Sequence, residues 1–103
     1  MSKSKLIAEE IAQTCDILGW EYFVREDLFT IAKPIPRHDL DAFRKADGEY
    51  YQILSRLPQT RLGSWWGTDG GGVGARQAVT NGRFVMTMSG GSKRVLRALE
   101  ELQ

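Results

Sequence analysis

Ser89-Gly90-Gly91-Ser92-Lys93-Arg94 is the stretch whose residue types and spacing best suit chemistry, and the chemistry is the holding of an anion. Ser92 is a good N-cap type, and Val95, Leu99 and Leu102 behind it fall at helical spacing, so a last helix is expected to begin here. A helix N-terminus carries partial positive charge and free N–H groups; acidic residues near it and basic residues near the far end each stabilise by about 0.3–1 kcal/mol. This helix has the signs reversed. Lys93 and Arg94 stand in its first turn and Glu100 and Glu101 in its last, an arrangement that opposes folding unless something negative sits at the front. The two glycines ahead of the cap would let a ligand approach the backbone, which is how helix N-termini take phosphate. The plainer alternative is a solvated basic end beside a tight turn.

Other residues offer weaker chemistry. Gly70-Gly71-Gly72-Val73-Gly74, followed by Arg76, could present successive N–H groups as an anion nest. It lacks the Gly-Lys-Ser/Thr ending of a P-loop, so a turning hairpin loop explains it as well. Trp65 and Trp66 are adjacent; on a strand they point to opposite faces, so one can join a core while the other meets a partner. An outward tryptophan near Arg61, Arg76 and Arg83 would suit a stacked nucleobase, or equally the anchor of a protein interface. His38, the single histidine, sits at a helix entry ahead of Asp39 and Asp41, where capping accounts for it; no nucleophile elbow accompanies it. Catalysis is not expected, and neither a metal nor a cofactor is called for, since one Cys and one His cannot build a conventional zinc site.

The elements that must position these residues follow from periodicity. From Ser4, residues Ile7, Ile11, Cys15 and Leu18 trace one face of a helix that Gly19 ends. Cys15 lies on that stripe and reads as a small core residue. Trp20, Tyr22 and Val24, then Phe29 and Ile31, alternate as two strands around Arg25-Glu26-Asp27, a β-hairpin that Pro34 and Pro36 close. A helix from about Asp39 to Leu57, with Leu40, Phe43, Tyr50, Leu54 and Leu57 on its stripe, is expected to run through Gly48 and stop before Pro58. A strand around Arg61–Gly67 follows, and Asn81-Gly82 predicts a hairpin of 76–80 with Arg83–Met88, in which Phe84, Met86 and Met88 face a core. The sum is a single α+β domain over residues 1–103. Its expected architecture is an antiparallel sheet of four or five strands with helices on one face, in the order helix, hairpin, helix, strand, hairpin, helix.

Composition narrows the function class. Hydrophobic residues at 42% and charged residues at 26% exclude disorder and coiled coil for the chain as a whole. The net charge of +1 supplies no global field toward nucleic acid or membrane, but it hides a split. Residues 1–58 carry eight basic and ten acidic side chains, whereas 59–103 carry six basic and three acidic, and nine of the eleven glycines fall between Gly63 and Gly91. One cysteine cannot form an internal disulfide, and MSKSKLIAEEIAQTC has no long apolar core, so a cytoplasmic protein with no membrane segment is expected. Over residues 39–103, the expected helix, three strands and final helix with Gly91-Ser92-Lys93-Arg94 in its first turn resemble the C-terminal half of a double-stranded-RNA-binding domain. The triple glycine and Val95–Leu102 depart from that pattern, and residues 1–35 have no counterpart in it. The function expected is therefore a non-enzymatic module contacting an anionic surface, foremost a nucleic-acid backbone, through Ser92, Lys93, Arg94 and Arg97 with Arg61, Arg76 or Arg83, Trp65 and Trp66. The rival is a protein-interaction module, a compact inhibitor or accessory subunit, docking one partner through an exposed Trp and the glycine-rich loop.

Overall fold

The computed structural model describes residues 2–26, 28–58, 65–66, 82–88 and 91–103, with Trp65, Trp66 and Met88 described by their backbone. The first helix, α1 (Lys3–Leu18), is capped by the Ser2 hydroxyl, which accepts from Lys5 N–H, and ends at Gly19 in the left-handed conformation at φ +79°. Ile11 and Cys15 of the expected stripe are fully buried together with Ala8, whereas Ile7 and Leu18 are partly buried against the core. Burial pushes the Cys15 thiol up to about 12, so it is a protonated core residue at neutral pH.

Strands β1 (Glu21–Arg25) and β2 (Leu28–Pro34) form the expected antiparallel hairpin, closed by the Arg25–Leu28 pair. Glu26 turns the chain at φ +58°. Helix α2 (Leu40–Leu54) begins where the Asp39 carboxylate accepts Ala42 N–H at 2.9 Å and passes through Gly48 without a break. It then tightens, with Leu57 N–H bonding the Leu54 carbonyl, before Pro58. Leu40, expected on the buried stripe, is half exposed, whereas Phe43, Ala46, Tyr50, Ile53 and Leu54 pack in or against the core.

Strands β3 (Trp65–Trp66) and β4 (Arg83–Met88) complete the sheet, in the order β1-β2-β4-β3. The α+β class holds, whereas the expected count of four or five strands and the full chain order are not shown by the described residues. Three full antiparallel strands are present among the described residues, β3 being only a two-residue pairing on β4. β2, from before α2, lies directly beside β4, and β3 flanks the other side of β4 at Thr87 and Met88. The first arm of the expected hairpin, 76–80, lies outside the described residues. Gly82 does adopt the left-handed conformation that the Asn-Gly signal implies, at φ +74°, and its carbonyl accepts Ile35 N–H at 2.9 Å.

The last helix, α3 (Lys93–Leu102), packs on α1 and β1. The three helices among the described residues join one core with Val24, Phe29, Ile31 and Phe84 of the sheet. Phe84 is its aromatic hub: the Trp20 ring meets it edge-on at 5.6 Å, and those of Phe43 and Tyr50 lie at 5.2 and 5.6 Å.

Among the described residues one charged side chain is buried in this frame. Glu49 of α2 is 6% exposed. Its Oε1 accepts from Trp20 Nε1 at 3.0 Å and from Lys33 Nζ at 2.5 Å, while Lys33 also donates to the Leu18 carbonyl at the end of α1. Burial pushes the Glu49 carboxyl up, but the Lys33 and Trp20 hydrogen bonds and the charges of Lys33 and Lys45 outweigh it and hold the group below its ordinary value of 4.5. A depressed folded-state value contributes stability that is complete above the unfolded value and is lost as pH falls through the folded one. Glu49→Ala should cost about 3 kcal/mol in urea unfolding at neutral pH, because it leaves Lys33 and Trp20 N–H facing a buried gap. The difference in stability between wild type and Glu49→Gln should be constant above pH 4.5 and shrink below it.

Candidate anion-binding site

The site is built where β4 hands the chain to α3. Gly91 precedes the helix, and a Cβ placed on it would lie 2.9 Å from Cδ2 and 3.1 Å from Cγ of the buried Leu57. Ser92 N–H then donates to the Pro58 carbonyl at 2.9 Å, and the Ser92 carbonyl accepts Leu96 N–H to open the first turn. The end of α2 and the start of α3 are thus joined by a close apolar contact and a backbone hydrogen bond. Gly91 is accounted for by this packing against Leu57; Gly90 lies outside the described residues.

Ser92 does not cap the helix as its type suggests. Its hydroxyl makes no hydrogen bond to the first turn, while its backbone N–H is taken by the Pro58 carbonyl. The first-turn N–H groups therefore receive no side-chain oxygen from the residue best placed to supply one. The reversed charges stand: α3 has no acidic residue in its first turn and no basic residue in its last. Val95, Leu96 and Leu99 turn inward, which leaves Lys93, Arg94 and Arg97 exposed at the positive end of the helix. Among the described residues none of these three cations is in an ion pair. Glu26 and Glu100 line a shallow depression with Lys93 and Arg97, so the local field is mixed on that side.

The other sequence-predicted residues divide. Trp65 pairs with Met88 and Trp66 with Thr87, so β3 joins the end of β4 from which the chain enters α3. Arg83 stands at the opposite end of β4, roughly 17 Å away at about 3.3 Å per residue, beside Pro34, and is separated from the helix-end group. Arg61, Arg76 and the Gly70–Gly74 loop lie outside the described residues. Leu102, expected on the buried stripe of the last helix, is 42% exposed and lines a groove with Tyr22 and Phe23 of β1.

Sequence reasoning missed two groups. Arg25 and Glu26, seen only as turn residues, are exposed at the β1–β2 turn, where Glu26 borders the α3 cations. Glu49 was legible as an acidic residue at spacings of three and four from Ala46 and Ile53 on a buried stripe; its partners Trp20 and Lys33 lie 29 and 16 residues earlier, beyond any local pattern. This cluster is structural, its hydrogen bonds joining α1, α2 and the hairpin. His38 is exposed at φ +62° just before the Asp39 cap. Among the described residues no three of His, Cys, Asp and Glu gather as metal ligands, and no helix is long and apolar enough to cross a membrane.

If Gly91 serves packing on Leu57, Gly91→Ala should lower stability by about 1–2 kcal/mol in thermal or urea unfolding, the range typical of overpacking a filled core. An unchanged unfolding curve would show that Leu57 yields without cost. No family model, curated protein or solved structure matches this chain.

Proposed function

We propose that this chain is a small non-enzymatic binding module that grips an anionic surface, a nucleic-acid backbone foremost, through the start of α3. The observation that carries the proposal is the exposure of Lys93, Arg94 and Arg97, without ion-pair partners among the described residues, at a helix end whose own dipole is positive. Such an arrangement costs the free protein folding stability and is relieved by a bound phosphate. The tryptophan strand β3, at the adjoining end of β4, would add base stacking to backbone contact. The cytoplasm is the compartment that suits this function and a single unpaired cysteine.

A second reading, docking on one protein partner, draws on Glu26 and Glu100 standing among the cations, since a mixed-charge patch matches a protein surface better than a uniform polyanion.

Binding to duplex and single-stranded oligonucleotides, followed by fluorescence anisotropy across salt, separates the two. Three phosphate contacts predict a log–log salt slope of about −2 to −3 on duplex. Lys93→Ala with Arg94→Ala should weaken binding and reduce that slope by about 2, while leaving the unfolding midpoint unchanged or slightly raised. Absence of binding at low salt removes the nucleic-acid proposal and leaves the protein partner.

A further inference from the structure

We propose that β1 is a self-pairing edge, and that two copies of this chain join through it about a two-fold axis at Phe23 to make one continuous antiparallel sheet. β1 ends the sheet order, and among the described residues no strand lies on its outer side. An edge strand presents a row of unpaired N–H and C=O groups, and proteins blunt such rows by charge, bulges or cover. Here the outward groups belong to Tyr22 and Val24, because Val24 N–H points away from β2 and is taken, at 2.7 Å, by the side-chain Oε1 of Gln103. A carboxamide thus occupies the position that a neighbouring peptide group would fill, and strand pairing exchanges this bond for one to the second copy's Tyr22 carbonyl, releasing the Gln103 side chain.

The order Glu21-Tyr22-Phe23-Val24-Arg25 is complementary to itself when reversed. Centred on Phe23, an antiparallel pair of β1 strands sets Tyr22 of each copy opposite Val24 of the other, bringing together the two residues whose N–H and C=O groups face outward. Backbone bonding then has the correct alternation. The same register sets Glu21 opposite Arg25 at both ends, two cross-strand pairs of opposite charge, with Phe23 against its own copy between them. Glu21, Phe23 and Arg25 are all exposed and share the sheet face away from the core, Phe23 at 50%. A strand with a different charge order would put like charges together at one or both ends, so the edge favours its own copy.

The apolar surface beside the strand agrees. A groove of about 610 Å3 runs along β1, lined by Tyr22 and Phe23, by Ala12 and Asp16 of α1, and by Leu102 and Gln103. Phe23 and Leu102 are two of the six large hydrophobic residues exposed among the described residues, and they flank this one edge. A second copy paired there would cover both, and the two-fold makes the interface isologous, with no free edge of β1 left to propagate.

Sedimentation velocity over a concentration series tests the proposal. Wild type should show a monomer–dimer equilibrium. Glu21→Arg and Arg25→Glu, each of which puts like charges opposite at both ends, should each raise the dissociation constant roughly tenfold or more. The double variant Glu21→Arg/Arg25→Glu restores both pairs and should return it to near the wild-type value, which neither general unfolding nor a change of net charge would produce. Phe23→Cys should form an intermolecular disulfide in oxidised glutathione, since a residue facing its own copy in a non-hydrogen-bonded pair lies about 4.5 Å away, Cα to Cα, within disulfide reach. Ile17→Cys, on an 80% exposed position of α1, should not. A protein that stays monomeric at every concentration, single variants that leave the dimer unchanged, or a double variant that fails to recover would each overturn self-pairing at β1.

Discussion

A carboxylate that must not be left alone organises this fold. Glu49 faces inward from α2 because its helical spacing leaves it no other direction, and a buried charge without a partner is among the costliest features a small domain can carry. The partner it finds, Lys33, comes from β2 and at the same time holds the last carbonyl of α1 through Leu18. Trp20, at the entry to β1, adds the third contact while its ring packs on Phe84 of β4. Three hydrogen bonds thus link both of the first two helices to the hairpin and bring the aromatic hub of the core into register. α1 has no basic residue in its own last turn; the cation that its negative end favours arrives from a strand.

With that end of the structure fixed, α3 is attached from the other side. Leu57 fills the space that a side chain at residue 91 would need, and Ser92 bonds back to Pro58. The buried Val95, Leu96 and Leu99 then orient the helix, and its cations turn outward as a consequence of the inward apolar face. The exposure of Lys93, Arg94 and Arg97 is therefore built into the packing. A helix so anchored can tolerate adverse terminal charges worth a few tenths of a kcal/mol each, because burial of its apolar stripe supplies several times as much.

The two surfaces lie on different parts of the molecule for a topological reason. The chain enters α3 from the Met88 end of β4, which places the helix start near the β1–β2 turn and near β3. The helix then runs across β1 toward Tyr22 and Ala12, so its far end borders the sheet edge. One helix in this way presents a basic start to solvent and sets Leu102 and Gln103 beside the outer edge of β1. Pairing at the edge would leave the basic start of each copy uncovered.

Local pattern determined much of this protein. The apolar stripes of α1 and α2, the caps at Ser2, Gly19 and Asp39, the hairpin around Glu26, the inert core position of Cys15 and the reversed charges of α3 all follow from residues within a few positions of one another, because dihedral preference and helical spacing act at that range. The α+β class follows from their order. Tertiary structure decided what depends on distant residues meeting: that β2 lies between β1 and β4, that Gly91 answers to Leu57, that the Ser92 N–H bonds the Pro58 carbonyl, and that Glu49 is neutralised by Lys33. Arg83 was grouped by sequence with Lys93 and Arg94 because all belong to the basic half of the chain, but an intervening strand carries it to the opposite end of the sheet. Charge counted along a chain is a sum, whereas a binding surface is a matter of distance, and only the fold sets distances between residues that the backbone does not hold together.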